Sequence, residues 1–78
     1  MARVLVTGGA GTIGSAVVRR LLRDPAWEVR VCDHRQAPDW MREGCEIVVG
    51  DLRDGAEAGL AVDGCSHVIH LAAIDSGG

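Results

Sequence analysis

Four glycines fall within seven positions of this chain, Gly8, Gly9, Gly11 and Gly14, in the stretch VTGGAGTIGS. They stand between a β-rich apolar run, Arg3-Val4-Leu5-Val6, and a segment in which Ile13, Val17 and Leu21 recur every four residues, widened by Val18 and Leu22. That spacing draws one apolar stripe along a helix, with Arg19, Arg20 and Arg23 outside it, and Asp24-Pro25 closes the segment. Glycine tolerates backbone conformations closed to other residues and lets other groups approach the main chain. A strand that feeds a helix through such a turn confines the chain to a narrow set of α/β folds.

The rest of the sequence repeats the alternation. Trp27 to Cys32 and Cys45 to Val49 read as strands, and His67 to Leu71 as a fourth. Ala37 to Glu43 forms a helical turn, with Pro38 suited to its start, and Asp54 to Val62 a short helix weakened by Gly59. The order β-α-β-α-β-α-β implies parallel strands joined by right-handed crossovers. Short, continuously apolar strands fit a sheet covered by helices on both faces. The expected architecture is a Rossmann-type doubly wound parallel sheet, in part, with strand order 3-2-1-4: one mononucleotide-binding half plus the strand across the switch point. No linker or internal repeat divides residues 1–78, so one small domain is expected. A chain this short buries roughly 60–65% of its unfolded surface, and its stability should be marginal.

Charge and cysteine usage narrow the function. A net charge of −3 with no long basic run argues against a nucleic-acid surface. No apolar stretch approaches the roughly 20 residues that span a bilayer, and the start MARVLVTGG does not read as a signal peptide. Three cysteines in separate segments, Cys32, Cys45 and Cys65, fit reduced thiols and a cytoplasmic setting better than a disulfide framework.

A parallel strand entering a helix presents backbone N–H groups at the helix N-terminus, where the helix dipole favours an anion. Gly9-Ala10-Gly11-Thr12-Ile13-Gly14 fits G-x-G-x-x-G in the required order of strand, glycines, helix. Gly11 would let a pyrophosphate approach, and Gly14 would let helix and strand pack closely. Glycines alone would equally suit a flexible surface turn; the downstream acid argues for the nucleotide. Asp33 ends the second strand nineteen positions after Gly14, where an acid accepts hydrogen bonds from ribose hydroxyls. It would repel a 2′-phosphate and so favours NAD over NADP. Arg35 could pair with that phosphate, although an ordinary solvated loop charge is the simpler expectation.

These residues resemble the extended short-chain dehydrogenase/reductase family, the NAD-dependent epimerases and dehydratases. Thr7, Gly8, Gly11 and Gly14 match its T-G-x-x-G-x-x-G motif. The Asp51-Leu52 pair in VVGDLRD is similar to the family's pair beside the adenine, and His70-Leu71-Ala72-Ala73 to its small-residue segment beside ribose and nicotinamide. The resemblance implies cofactor contacts at Gly8, Gly11, Thr12, Ile13 and Gly14, at Asp33, His34 and Arg35, at Asp51 and Leu52, and at Leu71, Ala72 and Ala73. Read from the residues alone, Asp51 also suits a helix N-cap, and Ala72-Ala73 also suits tight packing.

Family catalysis depends on a Tyr-x-x-x-Lys pair, and this chain contains no tyrosine; its eight basic residues are all arginine. The resemblance therefore implies an N-terminal NAD-binding segment of an epimerase, dehydratase or dehydrogenase acting on a sugar, uronate or nucleotide sugar. The intact enzyme would be a homodimer, with catalytic and substrate-binding parts outside this chain. Two alternatives stay open: a non-catalytic dinucleotide-binding or redox-sensing module, and a truncated product without independent activity. Cys32-x-His34 and Cys65-x-His67 have metal-like spacing, but they would stand at opposite ends of parallel strands, about five residues apart at ~3.3 Å each. No metal site is expected. His70 reads as a satisfied strand-end histidine, and Trp27 and Trp40 as packing residues. The fourth strand would be an unprotected edge.

Overall fold

Val4, Leu5 and Val6 are almost wholly buried although they are consecutive. A run with successive side chains on opposite faces can be buried only if both faces are covered. In the computed structural model, which describes residues 2–71, this run lies in a central parallel sheet. The elements are β1 (Ala2–Thr7), α1 (Thr12–Leu21), β2 (Trp27–Asp33), α2 (Asp39–Gly44), β3 (Glu46–Val49), α3 (Gly55–Val62) and β4 (His67–His70). The strand order is β3-β2-β1-β4, the expected 3-2-1-4. Boundaries differ from the sequence reading by one or two residues, most at α2, where Pro38 remains extended and precedes the first turn.

Register decides which residues meet. Val4 lies opposite Val29, Val6 opposite Val31 and Thr7 opposite Cys32, while on the other edge Val4 faces His67 and Thr7 faces His70. Val4, Val6, Val29 and Val31 form one core with Val18 of α1, Ala37, and Met41 of α2. Leu5 and Cys32 form a smaller core on the opposite face with Ala61 of α3. The chain thus crosses one face twice, through α1 and α2, before α3 carries it back across the other face to β4. The reversal opens a crevice at the carboxyl ends of β1 and β4, the position where such sheets bind ligands.

Two side chains fix the layers in ways the periodicity did not indicate. The Arg19 guanidinium lies 4.1 Å from the centre of the Trp40 ring, tying α1 to α2. Arg30 is buried on the α3 face of β2, where its Nη1 donates to the carbonyls of Ala61 at 2.8 Å and Asp63 at 2.6 Å. Its Nε donates to Glu46 at 2.9 Å. The last turn of α3 has no basic residue of its own, so β2 supplies the cation that its carbonyl end favours.

The stripe on α1 needs one correction. Gly14 and Val18 are its buried residues, with Val17 and Leu21 packed alongside, but Ile13 is 65% exposed. Ile13 belongs to the first turn, which stands at the mouth of the crevice and not over the sheet. Trp27 packs on the larger core and meets the His67 ring edge-on at 5.0 Å. Among the described residues no helix is long and apolar enough to cross a membrane.

Candidate functional site

The crevice is built from the carboxyl ends of all four strands. Beyond Thr7 the backbone reverses through Gly8, whose φ of +73° favours glycine, and the Gly8 amide donates to the carbonyl of Cys32 at 2.8 Å. A side chain on Gly14 would collide with the carbonyl oxygen of Gly8 and come within 2.7 Å of the Gly9 Cα, so only glycine lets α1 start against the turn. Gly11 differs. A Cβ there would meet only the end of the Arg35 side chain, with Nη2 at 2.9 Å.

The start of α1 carries no side-chain cap and no acid in its first turn. By contrast, Asp54 caps α3, accepting from the amides of Ala56 at 2.9 Å and Glu57 at 3.3 Å, and Asp39 lies in the first turn of α2. Thr12 and Ile13 therefore begin a helix whose positive end is not offset by its own residues, directly above the glycine turn.

Asp33 faces this turn from the end of β2 with only 3% of its side chain exposed. One carboxylate oxygen accepts the Ala10 amide at 2.9 Å and Arg35 Nη2 at 3.0 Å; the other accepts the Arg35 amide and Nε, both at 3.0 Å. Burial pushes the carboxyl pKa up, but the hydrogen bonds from Arg35 and Ala10 outweigh it and hold the group below its ordinary value. Arg35 is consequently not the solvated loop charge expected from sequence. A desolvated carboxylate two residues away recruits its guanidinium, and the Arg35 side chain as a whole stays 43% exposed. His34 points outward, with Nδ1 3.5 Å from Asp33.

At the end of β3 the same Asp-x-Arg spacing recurs. Asp51 accepts the Arg53 amide at 2.9 Å and its guanidinium at 2.6 to 3.0 Å, which pulls the carboxyl down to about 2. The helix-capping alternative for Asp51 does not hold, because Asp54 performs that role one turn nearer the helix. Leu52 packs partly buried against the Leu5, Cys32 and Ala61 core. Across the crevice, the Thr7 hydroxyl accepts the Leu71 amide at 2.9 Å and pairs with His70 Nδ1 at 2.8 Å, fastening the end of β4 to β1. His70 is thereby the satisfied strand-end residue its position suggested. Ala72 and Ala73 lie outside the described residues. The two Cys-x-His pairs do not converge, and no group of three metal-ligating side chains forms among the described residues.

The structure thus brings the glycine turn, Asp33, His34 and Arg35 to one rim, with Asp51 at the neighbouring strand end. Sequence reading missed the Ala10 amide on Asp33 and both arginine clasps; the repeated Asp-x-Arg spacing was the available signal for the latter.

Comparison with known proteins settles the family. The model of the NAD dependent epimerase/dehydratase family matches residues 4–78. This chain belongs to that family. A 3-beta-hydroxysteroid dehydrogenase from Mycolicibacterium neoaurum is 39% identical over 74 residues, covering 95% of this chain and 20% of its own. An L-arabinose 1-dehydrogenase (NAD(P)(+)) from Haloferax volcanii is 40% identical over 73 residues, 94% of this chain and 26% of its own. Among solved structures, a uronate dehydrogenase mutant from Agrobacterium tumefaciens, complexed with NAD, superposes with a TM-score of 0.72 at 33% identity, over 91% of this chain and 26% of that one. The epimerase/dehydratase chain described here therefore spans about a fifth to a quarter of the length of these relatives.

Proposed function

We propose that this chain is the NAD-binding segment of an epimerase, dehydratase or dehydrogenase that acts on a sugar, uronate or nucleotide sugar. One observation carries the proposal. At the carboxyl edge of the sheet, an uncapped helix start lies behind glycines, and a buried, ionised acid stands at the end of the adjacent strand. A dinucleotide fits that arrangement, because at Gly11 only the movable end of the Arg35 side chain stands where its pyrophosphate would have to approach, and Asp33 supplies the acceptor its ribose would need. NADP fits less well, since its 2′-phosphate would meet the Asp33 carboxylate.

The roles follow from position. Gly8, Gly11, Thr12, Ile13 and Gly14 would hold the pyrophosphate against the start of α1. Asp33, with His34 and Arg35 beside it, would take the ribose, and Asp51 with Leu52 would border the adenine. Leu71, Ala72 and Ala73 would line the path toward the nicotinamide. Bound NAD supplies a hydride acceptor and donor. The protein's part here is to bind and orient, since the chain has neither the tyrosine nor the lysine of the family's proton-transfer pair. Nearly equal identity to a steroid dehydrogenase and a pentose dehydrogenase is what a segment devoted to the cofactor would show. We place the intact enzyme in the cytoplasm, in keeping with three free thiols, and, on the family resemblance alone, as a homodimer.

Calorimetric titration with NADH tests the assignment. Gly11→Val should keep the fold, because the backbone at Gly11 is extended and a Cβ meets only the movable end of Arg35. It should abolish binding, because the branched side chain fills the approach to the helix start. Unchanged affinity in the folded variant rejects the site.

A further inference from the structure

Resting on the NAD reading above, we infer that Arg35 is a latch on the ribose acceptor: its guanidinium has to leave Asp33 before a nucleotide can bind there, so Arg35 sets the affinity of the site. The constraint is the number of acceptor directions that Asp33 offers. A carboxylate offers about four lone-pair sites. In Asp33 all four are taken: by the Ala10 amide and Arg35 Nη2 on one oxygen, and by the Arg35 amide and Nε on the other. A ribose diol needs one acceptor site on each oxygen, or two on one. Two of the present donors are backbone amides fixed by the turn. Only the two guanidinium donors can be exchanged.

The surroundings set which partner moves. The Asp33 side chain is 3% exposed and cannot turn to meet a ligand, whereas the Arg35 side chain is 43% exposed and is the partner able to move. The guanidinium also stands 2.9 to 3.4 Å from the point where a Gly11 Cβ would be, so it spans the gap between the ribose acid and the phosphate turn. A nucleotide joined across those two points has to occupy that gap. The second clasp does not obstruct in this way: Asp51 is 42% exposed and Arg53 91%, leaving the carboxylate approachable from solvent. Binding at Asp33 therefore exchanges a two-pronged ion pair for two hydrogen bonds from neutral hydroxyls, which weakens the net affinity.

Calorimetric titration of the full chain with NADH, in wild type, Arg35→Ala, Asp33→Ala and the double variant, tests this. Arg35→Met, which keeps the aliphatic stem without donors, serves if Arg35→Ala does not fold by circular dichroism. The expected result is NADH binding about threefold to tenfold tighter without the guanidinium, with that gain absent in the Asp33→Ala background. Binding by the folded Arg35 variant alone, with wild type silent, also supports the latch. Equal or weaker binding on removing Arg35, while wild type binds, overturns the latch and leaves the NAD reading intact. Binding by none of the proteins overturns both.

Discussion

At Asp33, burial and pairing act in opposite directions on one carboxyl, and the outcome fixes its response to pH. Burial favours the neutral acid, but donors from Arg35 and Ala10 keep it ionised below the ordinary value of 3.8. A carboxyl depressed on folding contributes stability that is fully present above its unfolded pKa and is lost as pH falls through its folded one. Asp51, drawn down to about 2 by Arg53, acts in the same window, although it lies in the open. Thermal melts should therefore show midpoints that are steady above about pH 4 and fall between there and about pH 2. Asp33→Asn should flatten part of that fall; an unchanged acid limb would mean that the clasp contributes nothing to folding. Asp33 was legible in the sequence because its distance from Gly14 and its place at a strand end are both linear facts. Arg35 was not. A charge two residues after an acid reads as solvated until the burial of β2 is known, and that burial depends on strands distant in sequence.

Elements were easier to find than their partners. The four-residue recurrence that marked α1 was correct for Val17 and Leu21 and misplaced Ile13, because periodicity carries no information on where the sheet beneath a helix ends. The short α3, with Gly59 inside and no basic residue in its last turn, looks weak on propensity alone. Its support comes from outside, since Arg30 of β2 closes its carbonyl end through Ala61 and Asp63. Nothing in WEVRVC distinguishes that arginine from a surface charge, because the residue it serves lies over thirty positions downstream. Arg30→Met preserves much of the buried stem while removing the donors. It should cost about 1.5–3 kcal/mol in urea unfolding, the range for hydrogen bonds that involve a charged group. Loss of less than about 0.5 kcal/mol, typical of a neutral surface substitution, would show that α3 does not depend on β2 for its cap.

At the scale of the molecule, the topology was legible because few arrangements satisfy parallel strands, short connections and right-handed crossovers together. The unequal thickness of the two faces was not. Among the described residues, one face of the sheet is covered by α1 and α2 over seven buried apolar residues, whereas the buried apolar centre of the other is Leu5, Cys32 and Ala61. Val68 and Leu60 on that side remain 51% and 72% exposed. A layer held by so little apolar area and one arginine should open before the rest of the sheet does. Cys32 reports on it directly. Its thiol lies in the sheet beneath α3, 1% exposed, and burial, with smaller contributions from the charges of Asp33 and Glu57, pushes its pKa up. In the closed state Cys32 is doubly protected from alkylation, by access and by lack of thiolate. Under native conditions, peptide mapping after iodoacetamide treatment should find Cys65, which is partly exposed, modified well before Cys32. Arg30→Met should then accelerate Cys32 by a larger factor than Cys45, which packs against the opposite, thicker core. If both thiols instead accelerate equally, in step with the loss of global stability, the two layers unfold together and α3 is not a separate cooperative unit.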